Sequence, residues 1–400
     1  MSRALLLLPT GTYRAPDFLR AASHLGVDVV VGSEAAQTLA GSMGDRAVVV
    51  PLQQFDDALA AILELHARAP IDAVVAVDDP GLIVATAAAE RLGFPHNSTA
   101  AVAATRDKAA MRRALATSGV PQPRFSALAT PDQVTDERLA FIGLPAVVKP
   151  VGLSASRGVI RADDAAAVRA AVERVHDMVD CLLLIEEYVP GDEVAVEGLL
   201  RDGALEVLAI FDKPDPLVGP YFEETIYVTP SRHPIDTQAR IGSITAAAAA
   251  ALGLTEGPVH AELRIHGDCI WVIEIAARSI GGLCARALRF GAGISLEELI
   301  LRHALRLPLD DIARETSASG VMMLPIPRAG VLRDVLGQDA ARAVPGVTGL
   351  EITVPRGRPV RPLPEGDRYL GFLFARGDSP EAVEAALRSG LAALDIVIEP

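Results

Sequence analysis

Lysine is almost missing from this chain. Of 37 Lys and Arg residues, only Lys108, Lys149 and Lys213 are lysine, which leaves 34 arginines (37 − 3). Cations here are written as Arg, as a GC-rich coding bias would produce, so a surviving lysine is either a chance remnant or a position where a compact point charge suits better than a planar guanidinium. Excess positive charge is missing too. The 51 Asp and Glu outnumber the 37 Lys and Arg, for a net charge of −14. Such a chain is a poor polyanion binder, which argues against nucleic acid as a partner. Any phosphate it holds must be gripped locally. Cysteine is scarce: Cys181, Cys269 and Cys284 form no CxxC pair. That count excludes a disulfide framework and fits a reducing cytoplasm. No apolar run reaches the ~20 residues needed to cross a bilayer. The apolar start, Leu5 to Leu8, stops at Pro9-Thr10-Gly11, too short for a signal peptide. We therefore expect a cytoplasmic protein with no membrane partner.

What is present is a globular composition, 50% hydrophobic and 22% charged over 400 residues. That length predicts two to three domains. The first hundred residues alternate apolar runs (Ala4–Leu8, Val27–Val31, Ala47–Val50, Ile71–Val77) with helical stretches. This pattern means βαβ units and a parallel sheet. The glycines after the first run do not spell GxGxxG, so a dinucleotide site is not supported. A single helix is predicted over about 99–118, ended by Gly119-Val120-Pro121. A smaller αβ segment follows: strand Ala146–Lys149, a Gly/Ser loop, helix Asp164–Asp180 and strand Leu182–Glu187. Two strands surround Arg201-Asp202-Gly203, Thr237–Leu252 is helical, and Val259–Ile265 with Ile270–Ala276 form a hairpin. The last ninety residues read as a compact α+β unit.

Four stretches carry chemistry. Lys149-Pro-Val-Gly-Leu-Ser154-Ala-Ser156-Arg-Gly158 puts a lysine at a strand end before glycines and hydroxyls. Glycine lets backbone N–H groups approach a phosphate, and Ser154 and Ser156 add donors. The same loop would also suit a plain connection. Glu186-Glu187-Tyr188-Val189 leaves a strand, where free backbone groups suit an adenine edge, and Glu193 follows at a distance that suits ribose hydroxyls. The alternative is an acidic strand end in solvent. In the hairpin, a turn centred on Asp268 would set Glu262 opposite Glu274. Two like charges so placed repel unless a cation lies between them, and Mg²⁺ takes carboxylate and phosphate oxygens together. A register slip of one residue would separate them. Finally, Arg278 stands four residues after Glu274, followed by Gly281 and Gly282, where it suits an oxyanion formed beside a metal and the glycines admit a substrate. Its alternative is simple pairing with an acidic neighbour.

In this order, with Asp107-Lys108 opening the segment, the constellation resembles the ATP-grasp superfamily over about residues 1–310. Two of the three lysines fall where that family uses lysine. The segment Asp212-Lys213 to Pro230, the run Glu274-Ile-Ala-Ala-Arg278 and the stretch Tyr369–Arg376 look like the L-amino-acid ligase (carboxylate–amine ligase) branch. The resemblance implies an α/β and α+β chain in three parts. Residues 1–100 would be a Rossmann-like pre-ATP-grasp domain and 101–310 the ATP-grasp nucleotide domain, with a lid subdomain at about 120–200. Residues 311–400 would be a C-terminal α+β cap. It implies ATP and one or two Mg²⁺ ions. Lys108 and Lys149 would hold phosphates, Glu187 to Val189 the adenine, Glu193 the ribose, and Glu262 and Glu274 the metal. Arg278 would hold the transferred phosphoryl group and the substrate carboxylate, and Glu224 would face a substrate amino group. Lys213 suits a substrate or phosphate contact. The function implied is ATP-dependent amide or peptide bond formation through an acyl phosphate, releasing ADP and phosphate, with small carboxylate and amine partners and a homodimer as a common assembly. Many family members place Asn two residues after the second metal glutamate; here it is Ala276. The competing readings are a biotin-carboxylase-like or purine-pathway enzyme, and a nucleotide-binding protein without turnover. The carboxylase reading needs a biotinyl carrier, and no lysine is left over to serve as one.

Overall fold

A computed structural model describes residues 2–36 and 43–400. Near the N-terminus, four parallel strands, β1 (Arg3–Leu7), β2 (Asp28–Ser33), β3 (Ala47–Val49) and β4 (Ala73–Ala76), pair in the order β3-β2-β1-β4. Leu5, Leu6 and Leu7 of β1 are fully buried. A strand that is apolar throughout must be covered on both faces. Helix α1 (Ala15–Leu25) and the neighbouring core cover one face; α2 (Phe55–Arg68) and α3 (Leu82–Leu92) cover the other.

Where one helix was expected over about 99–118, there are two. Helix α4 (Thr99–Arg106) stops, and α5 (Lys108–Thr117) starts afresh. Asp107 is the break. It takes an extended backbone, φ −119° and ψ 101°, and its carboxylate accepts the N–H of Ala110 at 2.9 Å. An aspartate competes with the helix for backbone donors and favours the N-cap over the interior. The break makes Lys108 the first residue of a helix rather than a mid-helix surface residue, and it is buried there.

A four-stranded antiparallel sheet follows, β5 (Phe125–Leu128), β6 (Ala146–Pro150), β7 (Ile160–Ala162) and β8 (Leu183–Glu187), in the order β5-β8-β6-β7. Helix α6 (Asp136–Ile142) precedes β6, and α7 (Ala165–Met178) packs on the sheet through Val168, Val172 and Val175.

The largest sheet has eight strands. It contains β9 (Asp192–Arg201), β10 (Ala204–Lys213), β11 (Ile226–Thr229), β12 (Gly257–His266) and β13 (Cys269–Ala276). It continues across the expected boundary at 310 into β14 (Ala318–Leu324), β16 (Val347–Ile352) and β18 (Gly371–Gly377), in the order β13-β12-β9-β10-β11-β14-β18-β16. The C-terminal stretch therefore shares a sheet with the segment before it. Strand β15 (Gly330–Leu336) lies instead in a separate three-stranded sheet with β17 (Pro359–Val360) and β19 (Asp395–Glu399), in the order β17-β15-β19.

The hairpin β12–β13 corrects one expectation. Its turn is the pair Gly267-Asp268, with His266 opposite Cys269 and Leu263 opposite Val272. Continued unbroken, that register would put Ile273 opposite Glu262. The register shifts between Glu262 and Leu263, so Glu262 faces Glu274, Ala261 faces Ile275 and His260 faces Ala276. Ile273 is the extra residue of a β-bulge, a device that re-aims side chains near a site. The turn alone does not pair the two glutamates; the bulge does.

Replacing Asp107 by Ala removes a cap whose loss costs about 1 kcal/mol. We expect a lower midpoint in chemical denaturation and, on the expectation that Lys108 holds a phosphate, weaker ADP binding, because Lys108 loses its fixed start. Unchanged nucleotide affinity in calorimetry would show that the break has no part in placing Lys108.

Candidate active site

One cavity of about 540 Å³ is lined by Lys108, Lys149, Ser154, Ser156, Glu186 to Val189, Glu193, Glu224, Glu262, Glu274, Arg278, Gly281 and Gly282, but not by Lys213. Its wall also includes residues from both ends of the chain, among them Gly11, Tyr13, Asp78 and Asp79, and Met323, Thr353, Val354, Arg368 and Tyr369.

Lys149 stands on β6 and Glu186 on β8. Val147 is the register partner of Glu186, so Lys149, two residues on, shares its face. Lys149 Nζ lies 2.6 Å from Glu186 Oε2. Glu186 is also gripped by Arg112, whose Nε and Nη2 donate to its two oxygens at 2.7 and 3.1 Å. Burial alone would raise the Glu186 carboxyl, but Arg112 and Lys149 outweigh it and hold it at about 2. Lys149 is pushed down by burial, with Arg112 and Lys108 adding to the effect. The charges explain both directions. Arg112 already neutralises Glu186, so Lys149 is a surplus buried cation, and an arriving anion would relieve it. Glu186 is thus an internal counter-ion and not a free ligand.

Lys108 Nζ donates to Leu153 O at 2.6 Å, and its backbone N–H donates to Val151 O at 3.1 Å. The start of α5 is therefore tied to the Gly/Ser loop. Nζ also lies 3.4 Å from Glu274 Oε2. In the loop, Ala155 and Ser156 both take left-handed backbones, φ 56° and 55°. This conformation costs a non-glycine residue roughly 1–2 kcal/mol.

The hinge departs from expectation. Glu187 N–H donates to Arg124 O, Tyr188 N–H donates to Pro145 O, and Val189 O accepts from Arg264 Nη1 at 2.7 Å. These groups are not free. The Val189 N–H has no protein acceptor among the described residues. The Glu187 carboxylate pairs outward with Arg124 at 3.0 Å. The Tyr188 ring is covered by the guanidiniums of Arg161 and Arg264, 4.3 and 5.2 Å from its centroid.

Lys213 also departs from the expected contact. Its side chain is 2% exposed, and Nζ lies 2.6 Å from Glu193, 2.9 Å from Glu224 and 3.5 Å from Glu262. The oxygens of these three glutamates are close enough together to suggest a metal site, but the ammonium already fills the position between them. Burial would lower the Lys213 pKa; the three carboxylates raise it. Arg264 Nε takes the second oxygen of Glu193 at 2.7 Å. Each oxygen of a carboxylate has two lone pairs, so Glu193 keeps acceptor capacity. Glu224 lies 8% exposed, and its Oε2 has no partner. Burial, with Glu262 and Glu193 adding to it and Lys213 opposing, raises the Glu224 carboxyl to about 7.

Beneath Glu262 lies a buried relay absent from the sequence reading. His260 Nδ1 meets Glu197 Oε1 at 2.5 Å, and His260 Nε2 meets Glu262 Oε1 at 3.4 Å. Burial opposes protonation of His260, but Glu197 and Glu262 win and raise it to about 9. Glu197 Oε2 accepts the N–H of Ile280 at 2.9 Å, which anchors the loop after Arg278. Glu262 is pulled down against burial by Lys213 and His260. As oxygen donors on adjoining strands, Glu262 and Glu274 fit a hard divalent ion.

Arg278 Nε donates to Asp79 Oδ1 at 2.8 Å, and Nη1 donates to Ser279 O at 3.0 Å. It both faces the cavity and pairs with an acidic neighbour, so the two readings of this arginine are compatible. The two glycines differ. A Cβ on Gly281 would meet nothing within 4 Å, whereas one on Gly282, φ 63°, would lie 2.7 Å from the Phe372 ring. Gly282 is set by packing, not by substrate approach. The signals missed were Asp78-Asp79 at a strand end and His260 beside Glu262.

Three family matches cover this architecture: an ATP-grasp N-terminal domain at residues 19–96, an ATP-grasp domain at 142–287 and L-amino acid ligase C-terminal domain 2 at 322–399. The D-alanine–D-alanine ligase of Gloeobacter violaceus is 31% identical over 228 residues, 53% of this chain and 72% of that protein. The chain belongs to the ATP-grasp family. The alanine–anticapsin ligase of Bacillus subtilis is 26% identical over 272 residues, 62% of this chain and 56% of that protein. The crystal structure of L-amino acid ligase from Bacillus licheniformis superposes with a TM-score of 0.87 at 26% identity, covering 100% of this chain and 99% of that one. The chain spans 50–61% of the length of the first curated relatives it matches.

Glu186 gives a test of the buried charges. Its folded pKa lies below the ordinary 4.5, so its contribution to stability is present above about pH 4.5 and lost as the pH falls toward 2. We expect unfolding free energy to fall by up to roughly 3 kcal/mol across that window. Glu186→Gln should be less stable near neutrality and show a shallower acid slope. An unchanged slope would remove Glu186 from the acid response.

Proposed function

We propose that this chain is an ATP-dependent carboxylate–amine ligase that joins amino acids, or an amino acid to another acid, releasing ADP and phosphate. The observation that carries the reading is one cavity holding three features. These are a surplus buried cation at Lys149, a phased carboxylate pair at Glu262 and Glu274, and a buried carboxylate oxygen without a partner at Glu224. A triphosphate answers the first two. An ammonium or amine N–H answers the third, since a buried acceptor left unpaired costs free energy.

Lys108 and Lys149 would hold the phosphates, with Ser154, Ser156 and the loop backbone around them. Tyr188, Val189 and Glu193 would border the nucleoside. Glu262 and Glu274 would hold Mg²⁺, which supplies charge neutralisation at the transferring phosphate when bound. Ala276 brings no ligand, so the reading commits to one ion held by the protein. The substrate carboxylate oxygen bonds to the γ-phosphorus as its bond to the ADP oxygen breaks, giving an acyl phosphate. The amine nitrogen then attacks the carbonyl carbon, the C–N bond forms, and phosphate leaves as the nitrogen sheds a proton. Arg278 would neutralise the oxyanion between these events. Nothing here needs a protein nucleophile; positioning and charge supply the catalysis.

The lid must exclude water, because an acyl phosphate hydrolyses readily. Gly158 N–H donates to Pro364 O at 2.9 Å, and Arg174 binds Glu365 at 2.6 Å, so the Gly/Ser loop and α7 rest on the C-terminal stretch. The domain division proposed is 1–100, 101–310 with the lid at about 120–200, and 311–400.

A phosphate-release screen over amino-acid pairs tests the reading, with Lys149→Ala as the blank. We expect ADP formation that requires both a carboxylate and an amine, reduced by about a hundredfold or more in the blank. ADP formed with bicarbonate alone would refute the ligase reading, and ATP binding without turnover on any pair would favour a non-catalytic nucleotide binder.

A further inference from the structure

Arg278 does not reach the cavity unaided. Strand β4 ends at Ala76, and the chain continues through Val77-Asp78-Asp79-Pro80. That turn delivers Asp79 Oδ1 to within 2.8 Å of Arg278 Nε, across 199 residues of sequence. With Nη1 on Ser279 O, two sides of the guanidinium are fixed, and Nη2 has no protein acceptor among the described residues.

The two partners share a brace. Arg14 is 2% exposed. Its Nη1 donates to Val77 O at 2.8 Å, and its Nη2 donates to Ser279 Oγ at 2.8 Å. Val77 lies two residues before Asp79, and Ser279 directly follows Arg278. One buried guanidinium therefore holds the backbone leading to the carboxylate and the residue beside the arginine it meets. It lies 3.6 Å from Asp78 and stacks 5.5 Å over Phe18. A brace that only joined two parts of the chain would not need to seat a carboxylate, Asp79, on a cavity-lining arginine.

We propose that Asp79 is a positioning residue for Arg278. It orients the guanidinium so that Nη2 meets the reacting carboxylate, and Arg14 holds both partners in place. The N-terminal segment would thus complete a site whose nucleotide contacts lie elsewhere. The proposal rests on the ligase reading only for the identity of what Arg278 meets.

The test is a double-mutant cycle of Asp79→Ala with Arg278→Ala. The substrates are ATP and the amino-acid pair that gives the fastest phosphate release with the native chain. We expect Asp79→Ala to raise KM for the acid substrate and lower kcat, with kcat/KM down about ten- to a hundredfold. The affinity for ADP in calorimetry should stay within about twofold, because Asp79 touches no nucleotide ligand directly. Adding Asp79→Ala to Arg278→Ala should cost nothing further. Asp79→Asn keeps an acceptor for Nε–H and should recover much of the loss. In a second arm, phenylglyoxal should modify Arg278 several-fold faster in Asp79→Ala, read by peptide mass mapping. Additive losses, or unchanged Arg278 reactivity, would overturn the proposal. Should the native chain form no ADP in an amine-dependent way, the ligase reading falls separately, and the phenylglyoxal arm alone judges Asp79.

Discussion

Ile273 is the one extra residue in the β12–β13 hairpin, and the phase of the cleft depends on it. Side chains alternate faces along a strand, so a single-residue shift moves a whole set from one side to the other. With Ile273 bulged, Glu274 faces the same side as Glu262 and meets Lys108. Without the bulge, Glu274 would turn to the opposite face and Lys108 would lose its carboxylate. The bulge also shifts Ala276 opposite His260 and sets the starting point of the loop that carries Arg278. Two carboxylates facing each other on neighbouring strands repel. The fold tolerates them because Lys213 and His260 flank Glu262 and Lys108 flanks Glu274.

The cations fall into two groups by what already satisfies them. Lys213 is fully taken up, with three glutamates within 3.5 Å and the Tyr227 ring 5.0 Å away. It behaves as a fixed internal ion that keeps Glu193, Glu224 and Glu262 from driving one another apart. Lys149 shares with Arg112 the one carboxylate it meets among the described residues and remains in excess. The same residue type thus sits in opposite balances: one lysine is outnumbered by the protein's own acids, and the other shares a single acid with an arginine. Removing one partner from such a cluster leaves an uncompensated buried charge. That is why the ligand-free cleft pairs so many of its own groups, and why an incoming anion and cation must each displace or share a partner.

Much of this was legible in the chain. The scarcity of lysine pointed to Lys108 and Lys149, and the order of motifs pointed to one cleft. What stayed hidden was set by long-range contact. Asp79 and Arg278 are 199 residues apart, and Glu197 reaches His260 across 63, so no local spacing announces either pair. The turn at Gly267-Asp268 was readable, but its bulge was not, because the alternation of Trp271, Ile273 and Ile275 looks regular as written. The helix break at Asp107 was visible in the residue type and was overridden by the apolar periodicity around it. Strands β11 and β16 went unread because β11 is four residues long and β16 is interrupted by Gly349.

The position of Asp79 joins these threads. The groups expected to face a nucleotide lie between Lys108 and Glu274, and their ion pairs are made among themselves. Arg278 is the exception, since its carboxylate partner comes from the first sheet. On the opposite side, Arg174 and Gly158 are tied to Glu365 and Pro364 of the C-terminal stretch. The cavity is therefore bounded by the turn after β4, the middle of the chain and the C-terminal stretch, and the polar contacts at its boundary differ in exposure. The Arg174–Glu365 pair joins exposed groups, and exposed ion pairs contribute about 0–1 kcal/mol, whereas the Gly158–Pro364 bond joins two buried residues. The Arg278–Asp79 contact is largely buried and braced by Arg14. Of the ion pairs at this boundary, the one on Arg278 is therefore the firmer and the one on Arg174 the weaker.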